Sequence, residues 1–319
     1  MAGTHPSGKR ALLIAGPTCS GKSALAMDLA QRFGGTVINA DSMQLYRELP
    51  ILTARPTPAE EAAVPHALYG VRPAAEAGSV AWWRGAALAA MDAAALPILC
   101  GGTGLYFRAL THGLTDLPEP DPAIRAEARA LLDDIGSQAL HARLAELDPR
   151  TAARLNPGDG QRVARAWEVV RGTGRGLTEW QLAPAEPSEW EYASILLDPP
   201  RDSLRAAIAV RFTAMLAQGA VAEVAALLAQ RLDPGLPAMR AHGVQEIGAM
   251  LRGEATLGEA ERRTVLATGQ YTKRQATWFR HRFGASHALM HTIHARYAGL
   301  EQLSESFTRE IGVFLQQGG

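Results

Sequence analysis

Short apolar runs alternate with stretches in which apolar residues recur every three or four positions through the first hundred residues of the 319-residue chain. Read with the strand and helix periods, this predicts strands over 11–15, 36–40 and 97–100 and helices over 22–33 and 81–95. Strand and helix in strict alternation are the cadence of an α/β fold, a parallel sheet flanked by helices. After Leu110 the texture changes. Two proline-rich stretches, "LPEPDP" at 117–122 and "APAEPS" at 183–188, bracket a segment rich in Arg, Ala and Leu that reads as helices, with Asp121 and Pro122 suited to a helix start. Residues 112–190 therefore read as a helical insertion that leaves the sheet between a first core part, 1–111, and a returning part, 191–319. "YASILLD" at 192–198 reads as a further core strand, and from Ser203 onward the pattern is helical, with breaks at "DPGLP" (233–237) and near Gly253.

Composition narrows the class. With 47% apolar residues the chain can bury a substantial core, and no apolar run approaches the roughly 18 residues of a membrane span. The start "MAGTHPSGKR" lacks the apolar region of a secretion signal, and only Cys19 and Cys100 occur, so a cytoplasmic protein is expected. Nine histidines are scattered without metal-ligand spacing. Lys plus Arg and Asp plus Glu number 32 each, a net charge of zero that favours no polyanionic partner. The distribution says more. Arg262, Arg263, Lys273, Arg274, Arg280, Arg282 and Arg296 fall in a stretch without a carboxylate, which fits a nucleic-acid surface and equally a solvated basic face.

The sharpest chemical signal is "GPTCSGKS" at 16–23, between the apolar run "ALLIAG" and a helical pattern. Strand, glycine-bearing loop, Lys, Ser and helix make the phosphate-binding P-loop in its required context, so the sheet is of the P-loop NTPase type. Backbone amides of Gly16, Pro17–Gly21 and the helix start converge on anionic oxygens, except at Pro17, which has no N–H. Lys22 adds a full charge and Ser23 a hydroxyl placed to ligate Mg²⁺. Nothing in this loop reads a base or a sugar. It establishes a diphosphate or longer group and leaves the rest of the ligand open.

In a doubly wound sheet, residues beyond the carboxyl ends of the strands face that loop. The second strand delivers "DSMQLY" (41–46) and the third "GGTGLY" (101–106). Asp41 fits either a metal-binding aspartate of kinase type or a proton acceptor, and Thr103 either a turn hydroxyl or a ligand contact.

"GPTCSGKS", "DSMQLY", "TARP" (53–56), "PHALYG" (65–70), "GGTGLY", "RFTAML" (211–216) and "QYTKRQATWFR" (270–280) occur in this order. Together they resemble the bacterial tRNA dimethylallyltransferase (tRNA isopentenyltransferase) family over roughly residues 11–285. The resemblance implies transfer of a dimethylallyl group from dimethylallyl diphosphate to N6 of adenosine 37 beside the anticodon, with release of diphosphate. It implies Asp41 as base, Arg211 as a diphosphate contact, and Thr103 on a diphosphate oxygen or positioning the adenine. It further implies tRNA contacts from Asp41, Ser42, Met43 and Gln44 after the second strand, from Arg125, Gln161, Arg162 and Arg165 in the insertion, and from Arg240, Gly243 and Gln245 in "MRAHGVQE" (239–246). In the C-terminal helix Gln270, Lys273 and Arg274 share a broad face with Thr277 and His281, and Arg280 follows. Leu52, Arg55, Trp167, Val244, Gln245 and Gly269 depart from the family pattern. A monomer working with Mg²⁺ is expected. The competing readings are a small-molecule or nucleoside kinase using ATP on the same loop, and a non-catalytic nucleic-acid module.

Overall fold

The computed structural model describes residues 8–115, 117, 118, 121–183, 185–284 and 287–316. Glu119, Pro120 and Pro184 of the two proline-rich stretches, and the first seven residues read above for a leader, lie outside them. Six parallel strands form one sheet in the order β3-β2-β4-β1-β5-β6: β1 Arg10–Ala15, β2 Thr36–Asn39, β3 His66–Ala67, β4 Pro97–Gly101, β5 Glu191–Leu197 and β6 Leu289–Ile293. The central strands β1 and β4 are buried along almost their whole length, which is why they read as unbroken apolar runs and not as alternation.

The chain divides into two compact units, residues 1–111 with 188–319 and residues 112–187. In the first, helices cover both faces of the sheet. Leu25 and Leu29 of helix Lys22–Phe33 pack with Leu12, Ile98 and Ile195, while Trp83 and Met91 of helix Val80–Ala93 pack with Leu13, Ile38 and Leu99 on the opposite side. Helix Leu257–Arg282 starts on a capping box, Thr256 with Glu259, and docks through Phe279 edge-on against Phe107 at 6.0 Å. Such a pair adds about 0.5–1.5 kcal/mol beyond the area it buries. The second unit holds helices Pro122–Leu147, broken at Gly136 (φ 75°, ψ 169°), Pro149–Ala152, Gly160–Thr173 and Leu177–Gln181 around Leu140, Leu144, Val163 and Trp167. Asp121 caps the first of these from its Oδ1 to the Ala123 amide, with Pro122 following.

Two strands depart from the sequence reading. The C-terminal part is not wholly helical, because β6 pairs with β5 in parallel, Leu197 opposite Ile293. "LMHTI" shows no run of apolar residues because it is an edge strand, buried only at Ile293. The other, β3, is two residues long, too short to leave any periodicity.

Candidate active site

The loop after β1 leaves the start of the following helix without a side-chain cap. Gly21, at φ 91°, begins helix Lys22–Phe33, so the first helical N–H groups keep no side-chain partner from the loop. Gly16 passes so close to the backbone of β5 that a Cβ would stand 2.9 Å from the Leu197 carbonyl oxygen. Lys22 Nζ lies 3.5 Å from the Pro17 carbonyl, curled over its own loop, and the Ser20 hydroxyl is buried without a partner. A cavity of ≈ 610 Å³ opens here, bounded by Thr18, Cys19, Lys22, Ser23, Asp41 and Arg211 among others. Arg211, on helix Arg201–Ala217, brings Nη1 to 3.8 Å from Cys19 Sγ.

Asp41 lies one residue beyond Ala40, whose amide still donates to the Cys100 carbonyl of β4. The buried Asn39 amide fixes the turn: its Oδ1 accepts from Asp41 N at 2.8 Å, and its Nδ2 donates to the Asp41 and Leu68 carbonyls. Asp41 Oδ1 in turn accepts from Met43 N at 3.0 Å. Thr103 uses its hydroxyl within the protein, accepting from Ser42 N at 2.9 Å and donating to Ser42 Oγ at 3.3 Å, so the loops after β2 and β4 are stitched together. Gln44 likewise spends its amide on the Thr53 and Ala54 carbonyls, at 3.0 and 2.8 Å.

Several site residues escaped sequence reading. Gln275 is buried, accepting from Thr18 N and donating to the Gly102 carbonyl, both at 2.9 Å. It joins the phosphate loop to the loop after β4. The only hint was its place one turn from Tyr271 in "QYTKRQATWFR". Tyr271 and His242 face the same cavity with ring centroids 5.2 Å apart. Burial pushes the Tyr271 hydroxyl up to about 12 and draws the His242 imidazole below its usual range, so both are neutral near pH 7. Beneath the loop, burial raises the Cys100 thiol to about 12, against the opposing pull of Lys22, so this cysteine is an inert core group.

The proposed RNA contacts fall on several surfaces. Gln270, Lys273, Arg274, Thr277 and His281 are exposed along helix Leu257–Arg282 and line a groove of ≈ 670 Å³. Trp278, half-buried on that face, fills the space left by Gly104, where a Cβ would meet its ring at 2.2 Å. Arg280 is held elsewhere, in a two-point pair with Asp198 at 2.8 Å for both contacts. Arg240 and Gln245 are exposed on either side of Gly243, whose φ of 99° opens helix Val244–Leu251. In the insertion unit Gln161 and Arg162 are exposed, Arg162 lying 3.4 Å from Asp159, while Arg165 pairs with Glu168 at 3.0 Å and Arg125 is half-buried. Three family departures have packing reasons: Val244 and Trp167 are buried in apolar clusters, and Leu52 packs over Gly243.

Among the described residues no three His, Cys, Asp or Glu side chains gather as a metal cage. The Ser23 hydroxyl and Asp41 carboxylate do border one cavity beside the phosphate loop, and such sparse oxygen donors suit Mg²⁺, which keeps waters and takes its remaining ligands from phosphate.

Comparison with known proteins agrees with this geometry. The family model described as "IPP transferase" matches residues 44–282, and that described as "Isopentenyl transferase" matches residues 9–67. A tRNA dimethylallyltransferase of Granulibacter bethesdensis is 61% identical over 302 residues, covering 93% of this chain and 95% of the relative. One of Gluconobacter oxydans is 58% identical over 315 residues, covering 97% and 95%. Among solved structures, the tRNA isopentenylpyrophosphate transferase of Bacillus halodurans superposes with a TM-score of 0.68 at 31% identity, covering 97% of this chain and 98% of that one. A eukaryotic dimethylallyltransferase acting on tRNA shares the fold, with a TM-score of 0.76 at 24% identity over 95% of this chain and 78% of its own.

Proposed function

The chain belongs to the IPP transferase family, and from that membership and the cavity's geometry we propose that it transfers the dimethylallyl group of dimethylallyl diphosphate to N6 of adenosine 37 in tRNA. The observation that carries the reading is that one cavity is bordered both by a phosphate loop with Lys22 and Arg211 and by the Asp41 carboxylate. A phosphate cradle alone would suit a kinase. Cations for a leaving diphosphate, a carboxylate and an apolar wall that includes Ile208, Phe212 and Met215 together suit prenyl transfer.

The chemistry follows from charge. An exocyclic adenine amine is a weak nucleophile because its lone pair is delocalised. As N6 bonds to the allylic carbon, its proton passes to Asp41, held at the mouth of β2 by Asn39. The C–O bond to diphosphate breaks, and the departing oxygens gain charge beside Lys22, Arg211 and the amides at the start of helix Lys22–Phe33. The Ser23 hydroxyl would hold Mg²⁺, which when bound neutralises part of the diphosphate charge. Gln275 and Thr103 act one layer back, keeping the three strand-end loops in register.

A stacked anticodon-loop base reaches an enclosed site only when extruded. The exposed face of Gln270, Lys273, Arg274, Thr277 and His281, with Arg240 and the insertion arginines Arg125, Arg162 and Arg165, supports the reading of a tRNA grip. Arg280 and Arg165 have a lesser claim, since their guanidiniums are paired with Asp198 and Glu168. No single described helix is long and apolar enough to cross a membrane. We propose that the protein acts on tRNA in the cytoplasm, as a monomer.

Nucleoside mass analysis of an A37-unmodified tRNA treated with this protein, Mg²⁺, dimethylallyl diphosphate and ATP tests donor, acceptor and position together. N6-dimethylallyladenosine at position 37 is the expected product. Unmodified tRNA accompanied by ATP consumption would instead establish the kinase.

A further inference from the structure

We propose that Arg296, in the loop that follows β6, is a third cationic arm on the diphosphate, beside Lys22 and Arg211. This rests on the prenyl-transfer reading for the identity of the anion.

The topology brings the residue there. Because β6 runs parallel to β5, with Leu197 opposite Ile293, and β5 parallel to β1, the chain leaves β6 at the same end of the strands as it leaves β1. Residues 294–298 therefore lie outside the carboxyl ends of the strands, where ligands of such sheets bind. The loop is pinned to the phosphate loop at adjacent positions. Arg296 Nε donates to the Cys19 carbonyl and Tyr297 N donates to the Ser20 carbonyl, both at 2.9 Å. The buried Tyr297 then passes its hydroxyl to Asp28 Oδ2 at 2.6 Å, on the helix that the phosphate loop begins. Its packing is close enough that a Cβ on Gly21 would stand 2.8 Å from Tyr297 Cβ.

These contacts use one of the five N–H donors of the guanidinium and fix its base. The Nη1 and Nη2 donors remain, in a side chain that borders the cavity and has no carboxylate within ion-pair distance among the described residues. Arg211 reaches the same residue from the other element, its Nη1 against Cys19 Sγ. The two guanidiniums thus meet the phosphate loop at Cys19, one at its side chain and one at its carbonyl. Arginine suits the double task, because Nε can serve a backbone carbonyl while the two terminal nitrogens present a planar fork to phosphate oxygens. An arm on the leaving group strengthens as charge develops there, so it should affect turnover as well as donor affinity.

The test measures Mg²⁺-dependent binding of inorganic diphosphate to the full chain and to Arg296→Gln, Arg296→Lys and Arg205→Gln, followed by donor KM, kcat and tRNA affinity. Arg205 is exposed on the helix that carries Arg211 and lies outside the cavity. Arg296→Gln should weaken diphosphate about tenfold, raise donor KM and lower kcat, with tRNA affinity unchanged; Arg205→Gln should bind diphosphate as the parent does. Arg296→Lys, which keeps the charge, should fall between the two. Diphosphate affinity within twofold of the parent in Arg296→Gln overturns the proposal. So does equal loss in the Lys and Gln variants, which would assign the effect to the tether on Cys19. Because inorganic diphosphate needs no tRNA, the arm is judged even if no base is prenylated: binding through Arg296 without transfer would sink the functional reading and leave the arm standing.

Discussion

Asp41 and Gln275 show how differently a residue's role is written into a chain. Asp41 follows an apolar run directly, so strand geometry alone aims it at the phosphate loop, and its chemistry is testable by a change that keeps its shape. Asp41→Asn should lower turnover on the order of a hundredfold, as loss of a general base does, with diphosphate binding nearly intact in a direct titration. Unaltered turnover would move the proton to another acceptor. Gln275 left no such trace, because an amide in the middle of a helix means nothing until the fold brings the Thr18 amide and Gly102 carbonyl to either end of it. Gln275→Leu removes both partners while keeping volume. The buried Gly102 carbonyl loses its hydrogen bond at about 1–3 kcal/mol, while the part-buried Thr18 amide, beside the cavity, costs less. Urea unfolding should therefore report a loss of at least about 1 kcal/mol, and a variant as stable as the parent would mean that water replaces the bridge.

At the scale of elements, what could be read was whatever buries a full face. The strands β1, β4 and β5 lie buried between two apolar layers, and the helices Lys22–Phe33 and Val80–Ala93 impose their periods because each buries a face in one of those layers. The edge strands β3 and β6 answer to fewer neighbours and carry no pattern, so the sequence reading lost β6 and with it the position of Arg296. Glycine separates local from tertiary demand in the same way. Gly34 ends helix Lys22–Phe33 at φ 69° with open space around the missing Cβ, whereas Gly21 starts it at φ 91° pressed against Tyr297. Gly34→Ala should therefore cost about 1 kcal/mol in stability, the penalty of a left-handed backbone alone. Gly21→Ala adds a clash that shifts the phosphate loop, and isothermal titration should find diphosphate binding weakened at least tenfold more than in Gly34→Ala. Equal effects would mean that the loop tolerates displacement from the C-terminal strap.

At the scale of the whole molecule, a chain with zero net charge must bind a polyanion through where its charges lie. Helix Leu257–Arg282 carries Lys273 and Arg274 on an open face, and the insertion unit 112–187 adds Arg125, Arg162 and Arg165. Each contact to a single-stranded phosphate contributes about 0.7 to the slope, so four to five contacts predict that the logarithm of tRNA affinity falls with the logarithm of salt at a slope of about −3 to −3.5. The insertion's share of that slope is separable because the points where it leaves and rejoins the first unit are neighbours: Ser188 N donates to the Leu110 carbonyl at 3.4 Å. A short Gly/Ser linker in place of 112–187 should therefore leave the sheet and its phosphate loop folded. Diphosphate binding should persist, while the salt slope for tRNA flattens by about two units and affinity falls. A slope unchanged by the deletion would assign the whole grip to the helical face and leave the insertion without an electrostatic part in it.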